Sequence, residues 1–126
     1  MHKSRLGAIV IDCQSDDFDR DAAFWSQALG RAAKRSDAPE EQRYFSLETA
    51  PDELRLLLQK VEHPSRVHID IKSDDVAAEV ARLEKLGAKR IEHLKGWCVM
   101  EAPSGHRFCV VPQNPPSFAG PVNEWA

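Results

Sequence analysis

The chain repeats itself, and that repeat limits what it can fold into. Ile11-Asp12-Cys13-Gln14-Ser15-Asp16-Asp17 returns 58 residues later as Ile69-Asp70-Ile71-Lys72-Ser73-Asp74-Asp75. Each copy runs into a helical stretch that closes in Leu-Gly, at Leu29-Gly30 and at Leu86-Gly87. The later parts repeat 52 residues apart. Phe45-Ser46-Leu47-Glu48 before Ala50-Pro51 answers Trp97-Cys98-Val99-Met100 before Ala102-Pro103, and Arg55-Leu56-Leu57-Leu58 answers Arg107-Phe108-Cys109-Val110. Matches in one order along most of the chain mean a duplicated supersecondary unit. The fall from 58 to 52 puts the extra length of the first copy in its helix and the loop after it.

Each unit reads as strand, helix and three strands. Phe18, Ala22, Trp25 and Leu29 make one apolar stripe at helical spacing, and Val76, Val80, Leu83 and Leu86 make another. Ser and Asp residues at 15–17 and 73–75 supply N-cap oxygens, and Gly30 and Gly87 suit the residue after a helix end. Strands are expected at Leu6–Cys13, Arg43–Glu48, Leu54–Val61, Val67–Lys72, Cys98–Glu101 and Arg107–Val111, with weaker ones starting near Arg31 and Lys89. The expected fold class is α+β: two tandem βαβββ modules, about 5–62 and 66–112, forming one cup-shaped mixed sheet with the helices outside. His63-Pro64-Ser65-Arg66 links the modules. The tail, 113–126, carries too much proline for a central strand or helix, and Phe118 and Trp125 are its candidate anchors.

Strand alternation sorts the side chains by face. Ile9, Ile11 and Cys13, with Ile69 and Ile71, suit burial under the helices. Val10, Asp12 and Gln14, with His68, Asp70 and Lys72, take the other face. There Arg55, Leu57 and Gln59 join them, as do Arg107, Cys109 and Val111. A mixed, polar inner face suits a cavity better than a packed core. The composition agrees with one compact domain: 126 residues, 42% hydrophobic and 29% charged. A net charge of −3 with no basic cluster argues against a nucleic-acid partner. No apolar run approaches the roughly 20 residues of a membrane span, and the charged start resembles no signal peptide. Three cysteines without zinc-ribbon spacing read as reduced thiols of a cytoplasmic protein.

With its duplication, the chain resembles the vicinal-oxygen-chelate superfamily, which includes glyoxalase I, extradiol dioxygenases and bleomycin-resistance proteins. The resemblance rests on Asp21-Ala22-Ala23-Phe24-Trp25 to Leu29-Gly30, on Val67-His68-Ile69-Asp70-Ile71, on Leu83 to Leu86-Gly87-Ala88, and on Ala102-Pro103-Ser104-Gly105-His106-Arg107-Phe108-Cys109. It is closest to small glyoxalase-like proteins in which Phe-Cys replaces the usual Ile-Glu near the end. Metal-dependent members hold one divalent ion with four side chains, and those slots fall here on Val10, Leu57, His68 and Cys109. Val10 and Leu57 cannot ligate, so His68 is the only well-matched ligand-slot residue. No cofactor is expected, with a divalent metal as the alternative. The resemblance also implies a homodimer and a small-molecule ligand.

His68, Asp70 and Asp12 are the candidate catalytic residues. An imidazole among carboxylates can act as acid or base. The competing reading makes each acid one half of a structural ion pair with Arg55, Arg107 or Lys72. Arg55, Gln59, Arg107, Cys109 and Met100 are the candidate ligand contacts. Cys109 would be a nucleophile only if a neighbour lowered its pKa, and is otherwise a small buried filler. Phe24, Trp25 and Trp97 read as core. Three functions remain open: a lyase or isomerase working without the four-ligand metal, a non-catalytic protein that sequesters a drug or metabolite, and a metalloenzyme with remodelled ligands.

Overall fold

The computed structural model describes residues 1–50, 53–113, 118 and 120–126. Its described elements are nine strands, two helices and a short 3-10 turn at Pro39–Glu41, in an α+β arrangement with the helices outside a mixed sheet. None of the helices is long and apolar enough to cross a membrane. The chain divides into two compact units, Ala8–His68 and Met1–Gly7 with Ile69–Ala126.

In the Ala8–His68 unit, the end of strand β1 (His2–Cys13) leads into helix α1 (Phe18–Leu29), then β2 (Ala33–Lys34), β3 (Tyr44–Leu47) and β4 (Arg55–Lys60). The order is β2-β3-β4-β1, with β1 and β4 parallel and the other pairs antiparallel. Asp17 caps α1 by accepting from the Arg20 amide, and Gly30 ends it at a φ of 66°, in the left-handed region that costs glycine nothing. The alternation of β1 and β4 turns Cys13 and Leu58 toward α1. They form a core there with Phe18 and Leu47, against which Ile11, Trp25, Phe45 and Leu56 pack.

The other unit holds β5 (Arg66–Ser73) from Ile69 on, helix α2 (Val76–Lys85), β6 (Lys89–Leu94), β7 (Trp97–Glu101), β8 (Arg107–Pro112) and β9 (Asn123–Trp125). Here the order is β5-β8-β7-β6, again with one parallel pair, β5 and β8, and a bulge between Arg90 and Glu92. Val80, Cys98, Met100, Phe108 and Val110 are its core, with Ile71, Val76 and Leu83 packed on them. The tail adds β9 antiparallel to the first residues of β1, pairing His2 with Trp125 and Ser4 with Asn123.

That tail covers a buried ionic knot. Glu79, fully buried on α2, accepts from Arg82 Nε at 2.8 Å and Nη2 at 2.9 Å, bonds His2 Nε2 at 2.8 Å, and accepts from Ser4 Oγ at 2.7 Å. The Arg82 guanidinium stacks 3.8 Å from the Trp125 ring centroid, and Trp125 Nε1 donates to Ser4 Oγ at 2.9 Å. Burial alone pushes the Glu79 carboxyl up. The bonds from Arg82, His2 and Ser4 overcome it and hold the carboxyl down at about 2.

Two sequence expectations are corrected here. Ile69 is not buried under a helix but 42% exposed, and Phe24 is not core but 61% exposed, edge-on to Trp25. A stripe at helical spacing locates the buried side of a helix without fixing its width, and α1 buries only the side bearing Phe18 and Ala22.

The knot sets a pH dependence. Because the Glu79 pKa is lowered from 4.5, its contribution is complete above about pH 4.5 and is lost as pH falls toward 2. Glu79→Gln should therefore lose on the order of 3 kcal/mol at pH 7 and much less near pH 2, while wild-type stability converges on the variant's as acid is added. Urea unfolding at the two pH values measures both.

Candidate active site

The face of the sheet turned away from α1 carries the chemistry of the Ala8–His68 unit. In the parallel register Val10 pairs with Leu57 and Asp12 with Gln59. Across β3, Ser46 lies opposite Leu57 and Tyr44 opposite Gln59. Since Ile11, Cys13, Leu56 and Leu58 pack toward α1, alternation puts Val10, Asp12, Leu57 and Gln59 on the other side. Gln59 Nε2 donates to the Tyr44 hydroxyl at 3.1 Å. A cavity of about 400 Å³ opens over this face, lined by Tyr44, Ser46, Leu57, Arg55, Lys34 and Arg35, so its charged wall is mainly cationic.

The same unit holds a dyad, whose Asp12 lines a second cavity and not this one. His68 Nδ1 lies 2.8 Å from Asp12 Oδ2, with the two side chains 9% and 2% exposed. An ionised carboxylate can only accept, so Nδ1 carries the proton and the lone pair of the neutral ring sits on Nε2. His63 Nε2 and Arg66 Nε stand 3.8 Å and 3.9 Å from the same carboxylate oxygen. The His68 N–H and the Arg66 guanidinium thus both face this carboxylate and offset the cost of burying it.

The second copy supplies the remaining candidates. His68 and Asp70 follow each other at an interval of two on β5, which puts them on one face. Asp70, not His68, is the register partner of Cys109 on β8, and the Asp70 carboxylate and the buried Cys109 sulfur lie within 4.8 Å of each other. Arg107 stands 3.9 Å from Glu101, the residue opposite it on β7. Met100, expected as a ligand contact, is corrected: it is fully buried on the core side of β7, packed with Val80 and Phe108.

Residues 8–111 match the family model of the glyoxalase-like domain. The chain belongs to that family, within the vicinal-oxygen-chelate superfamily. Its fold is that of a methylmalonyl-CoA epimerase from Mycobacterium tuberculosis, at 11% identity and a TM-score of 0.60 over 85% of this chain and 86% of that one. A Mn(II)-bound glyoxalase from Novosphingobium aromaticivorans matches at 21% identity and a TM-score of 0.56, over 86% and 40%. A homoprotocatechuate 2,3-dioxygenase from B. fuscum matches at 15% and 0.57, over 88% and 33%. No curated protein matches by sequence.

Of the metal slots that the glyoxalase-like resemblance implies, Val10 and Leu57 fall together in the Ala8–His68 unit. Val10 and Leu57 are neighbours across the β1–β4 ladder, so two hydrocarbon side chains stand side by side where two donors would be needed. The four-ligand set of the superfamily does not fit these residues. Cys13 is no nucleophile either: burial first, then the charges of Asp21 and Asp12, push its thiol up to about 11.

Of the residues singled out from the sequence, the structure brings Asp12 and His68 together, and it adds His63 and Arg66 beside them and Lys34 and Tyr44 on the 400 Å³ cavity. The segment His63-Pro64-Ser65-Arg66 was legible only as a linker, although an imidazole and a guanidinium beside a module boundary were the available signal. The dyad makes its own prediction. Neutral His68 should be the Nδ1–H tautomer, and Asp12→Ala should return it to the commoner Nε2–H form. Long-range ¹H–¹⁵N correlation of the imidazole distinguishes the two.

Proposed function

We propose that this glyoxalase-like protein binds a small anionic organic molecule on the polar face of β1, β3 and β4 and moves a proton on it through His68, as a lyase or isomerase. The observation that carries the reading is the 2.8 Å contact between His68 Nδ1 and the buried Asp12 carboxylate. A base needs its lone pair directed and its protonated form stabilised, and a carboxylate behind the ring does both. In the step we envisage, Nε2 takes a proton from carbon beside a carbonyl, the electron pair passes into the carbonyl as an enolate, and Asp12 stabilises the imidazolium. Return of the proton to either face or to a neighbouring atom gives isomerisation; its delivery to a departing group gives elimination. Arg55 and Lys34 are the cations suited to the substrate's acid group, with Gln59 and Tyr44 as hydrogen-bonding neighbours.

An epimerase and a glyoxalase among its structural neighbours agree with proton transfer but share only the fold. Two other readings have an observation behind them. Hydrocarbon at Val10 and Leu57 favours a non-catalytic sequestering protein of the bleomycin-resistance type. The approach of Asp70 to Cys109 favours a metalloenzyme with remodelled ligands. We expect a homodimer under either enzyme or binder reading. The buried, unpaired Cys13, Cys98 and Cys109 suit a reducing cytoplasm.

The test is deuterium exchange into a panel of small 2-oxo and malonyl-type acids in D₂O, followed by proton NMR. The wild type should exchange the acidic carbon proton of at least one acid. His68→Ala should slow that exchange by roughly 10²–10⁴-fold, and chelator treatment should leave it unchanged. Ligand-induced thermal shifts without exchange, retained in His68→Ala and Asp70→Ala, would give the sequestering protein instead. Exchange that disappears with a stoichiometric divalent ion would give the metalloenzyme.

A further inference from the structure

Helices α1 and α2 begin on equivalent residues. Asp17 and Asp75 each cap their helix by accepting from the amide three residues on, Arg20 and Ala78. The offset of 58 that joins these caps makes Asp21 the counterpart of Glu79 and Phe24 the counterpart of Arg82. On α2 the acid is saturated: it grips its own helix's guanidinium, and Trp125 stacks on that guanidinium.

On α1 the equivalent acid has a side chain 22% exposed, against none for Glu79, and no guanidinium fork grips it. Asp21 Oδ2 is buried with no hydrogen-bond partner among the described residues. Its Oδ1 meets Arg20 only at 3.8 Å, and Arg20 is mostly exposed. Where the second copy has its arginine, the first has Phe24, turned to solvent.

Beside Asp21 lies a cavity of about 740 Å³, lined by Ile11, Cys13, Trp25 and Val67 along with Asp12 and Asp21. Ile11, Cys13 and Asp21 are the counterparts of Ile69, Ile71 and Glu79, which with Arg82 line a smaller cavity of about 260 Å³ in the other copy. Two buried side-chain acceptors lack a partner among the described residues, Asp12 Oδ1 and Asp21 Oδ2, and both belong to residues of the larger cavity. Its charged lining is Asp12, Asp16 and Asp21 against Arg20 and Arg66. The raised Cys13 thiol registers the negative potential there, beyond what burial alone does.

We propose that this cavity is a guanidinium-binding site, in which a planar cation donates to Asp21 and lies against the Trp25 indole. The occupied copy shows what satisfies such an acid in this fold: a fork of N–H donors on the carboxylate and an aromatic ring over its flat face. The open copy keeps the acid and a ring but lacks the fork. A guanidinium fits better than an ammonium because it is planar and less hydrated, and so suits the flat face of an indole. The group comes either from a free small molecule or from an arginine of a second copy of this chain.

The probe is propylguanidinium chloride, titrated into ¹⁵N-labelled full-length protein, with sedimentation equilibrium run in parallel. Saturable shifts of the Trp25 indole N–H and the Asp21 amide are expected. Asp21→Asn should weaken them about tenfold. Phe24→Arg should abolish them, because the new side chain occupies the site from its own helix. A dimer that propylguanidinium or Asp21→Asn dissociates identifies an arginine of a second copy as the source; an oligomeric state indifferent to both identifies a free small molecule. Absence of saturable shifts in the wild type, or an unchanged affinity in Asp21→Asn or in Phe24→Arg, would overturn the site. These readouts do not involve proton transfer at His68, so the site and the proposed activity stand or fall separately.

Discussion

One side of strand β1 is buried except at Leu6, and the polar side chains on that side must therefore find their partners inside the protein. Its buried residues alternate from His2 and Ser4 to Ala8, Val10 and Asp12. Three of these are polar, and leaving such groups unpaired would cost a few kcal/mol each. His2 and Ser4 are absorbed by Glu79, and Asp12 by His68. One end of the strand thus becomes a structural knot and the other a dyad with catalytic geometry. The physical demand is the same at both ends. The difference lies in solvent: Trp125 closes over the first, whereas Asp12 lines an open cavity.

The duplication made the architecture legible. Helix caps, the Leu-Gly ends and the alternation of Leu56 and Leu58 are local signals, each stated by residues adjacent in sequence, and the strands fall within a few residues of where these signals put them. What was illegible depends on distance along the chain. The first turn of β1 reads as a charged start because its buried residues are His2 and Ser4. Only Glu79, some 77 residues away, makes them suitable core. The tail reads as proline-rich covering, and its strand exists because Asn123–Trp125 finds the β1 edge. Met100 failed for a related reason. Strand alternation groups it with Cys98, and both lie in the core with Val80 of α2.

The candidate site was half legible on the same grounds. His68 and Asp12 carry chemistry in their own side chains, and strand period sets each among the polar residues of its own strand. Their contact brings residues 56 apart to hydrogen-bonding distance, which no local pattern announces. Asp70 opposite Cys109 is a register fact, and register follows from how two strands slide, not from which residues they hold.

Duplication also gives each copy a reference for the other, which a single-module protein lacks. Glu79 and Asp21 descend from one position and sit on matching turns of matching helices. In one copy the acid became part of the fold, its charge neutralised by Arg82 and sealed by the tail. In the other, Phe24 stands where the neutralising arginine would be. An acid kept without its partner costs stability unless something supplies the missing donors. A buried carboxylate oxygen without a donor, repeated at Asp12 in the same cavity, is therefore the clearest mark this chain carries of a group that arrives from outside.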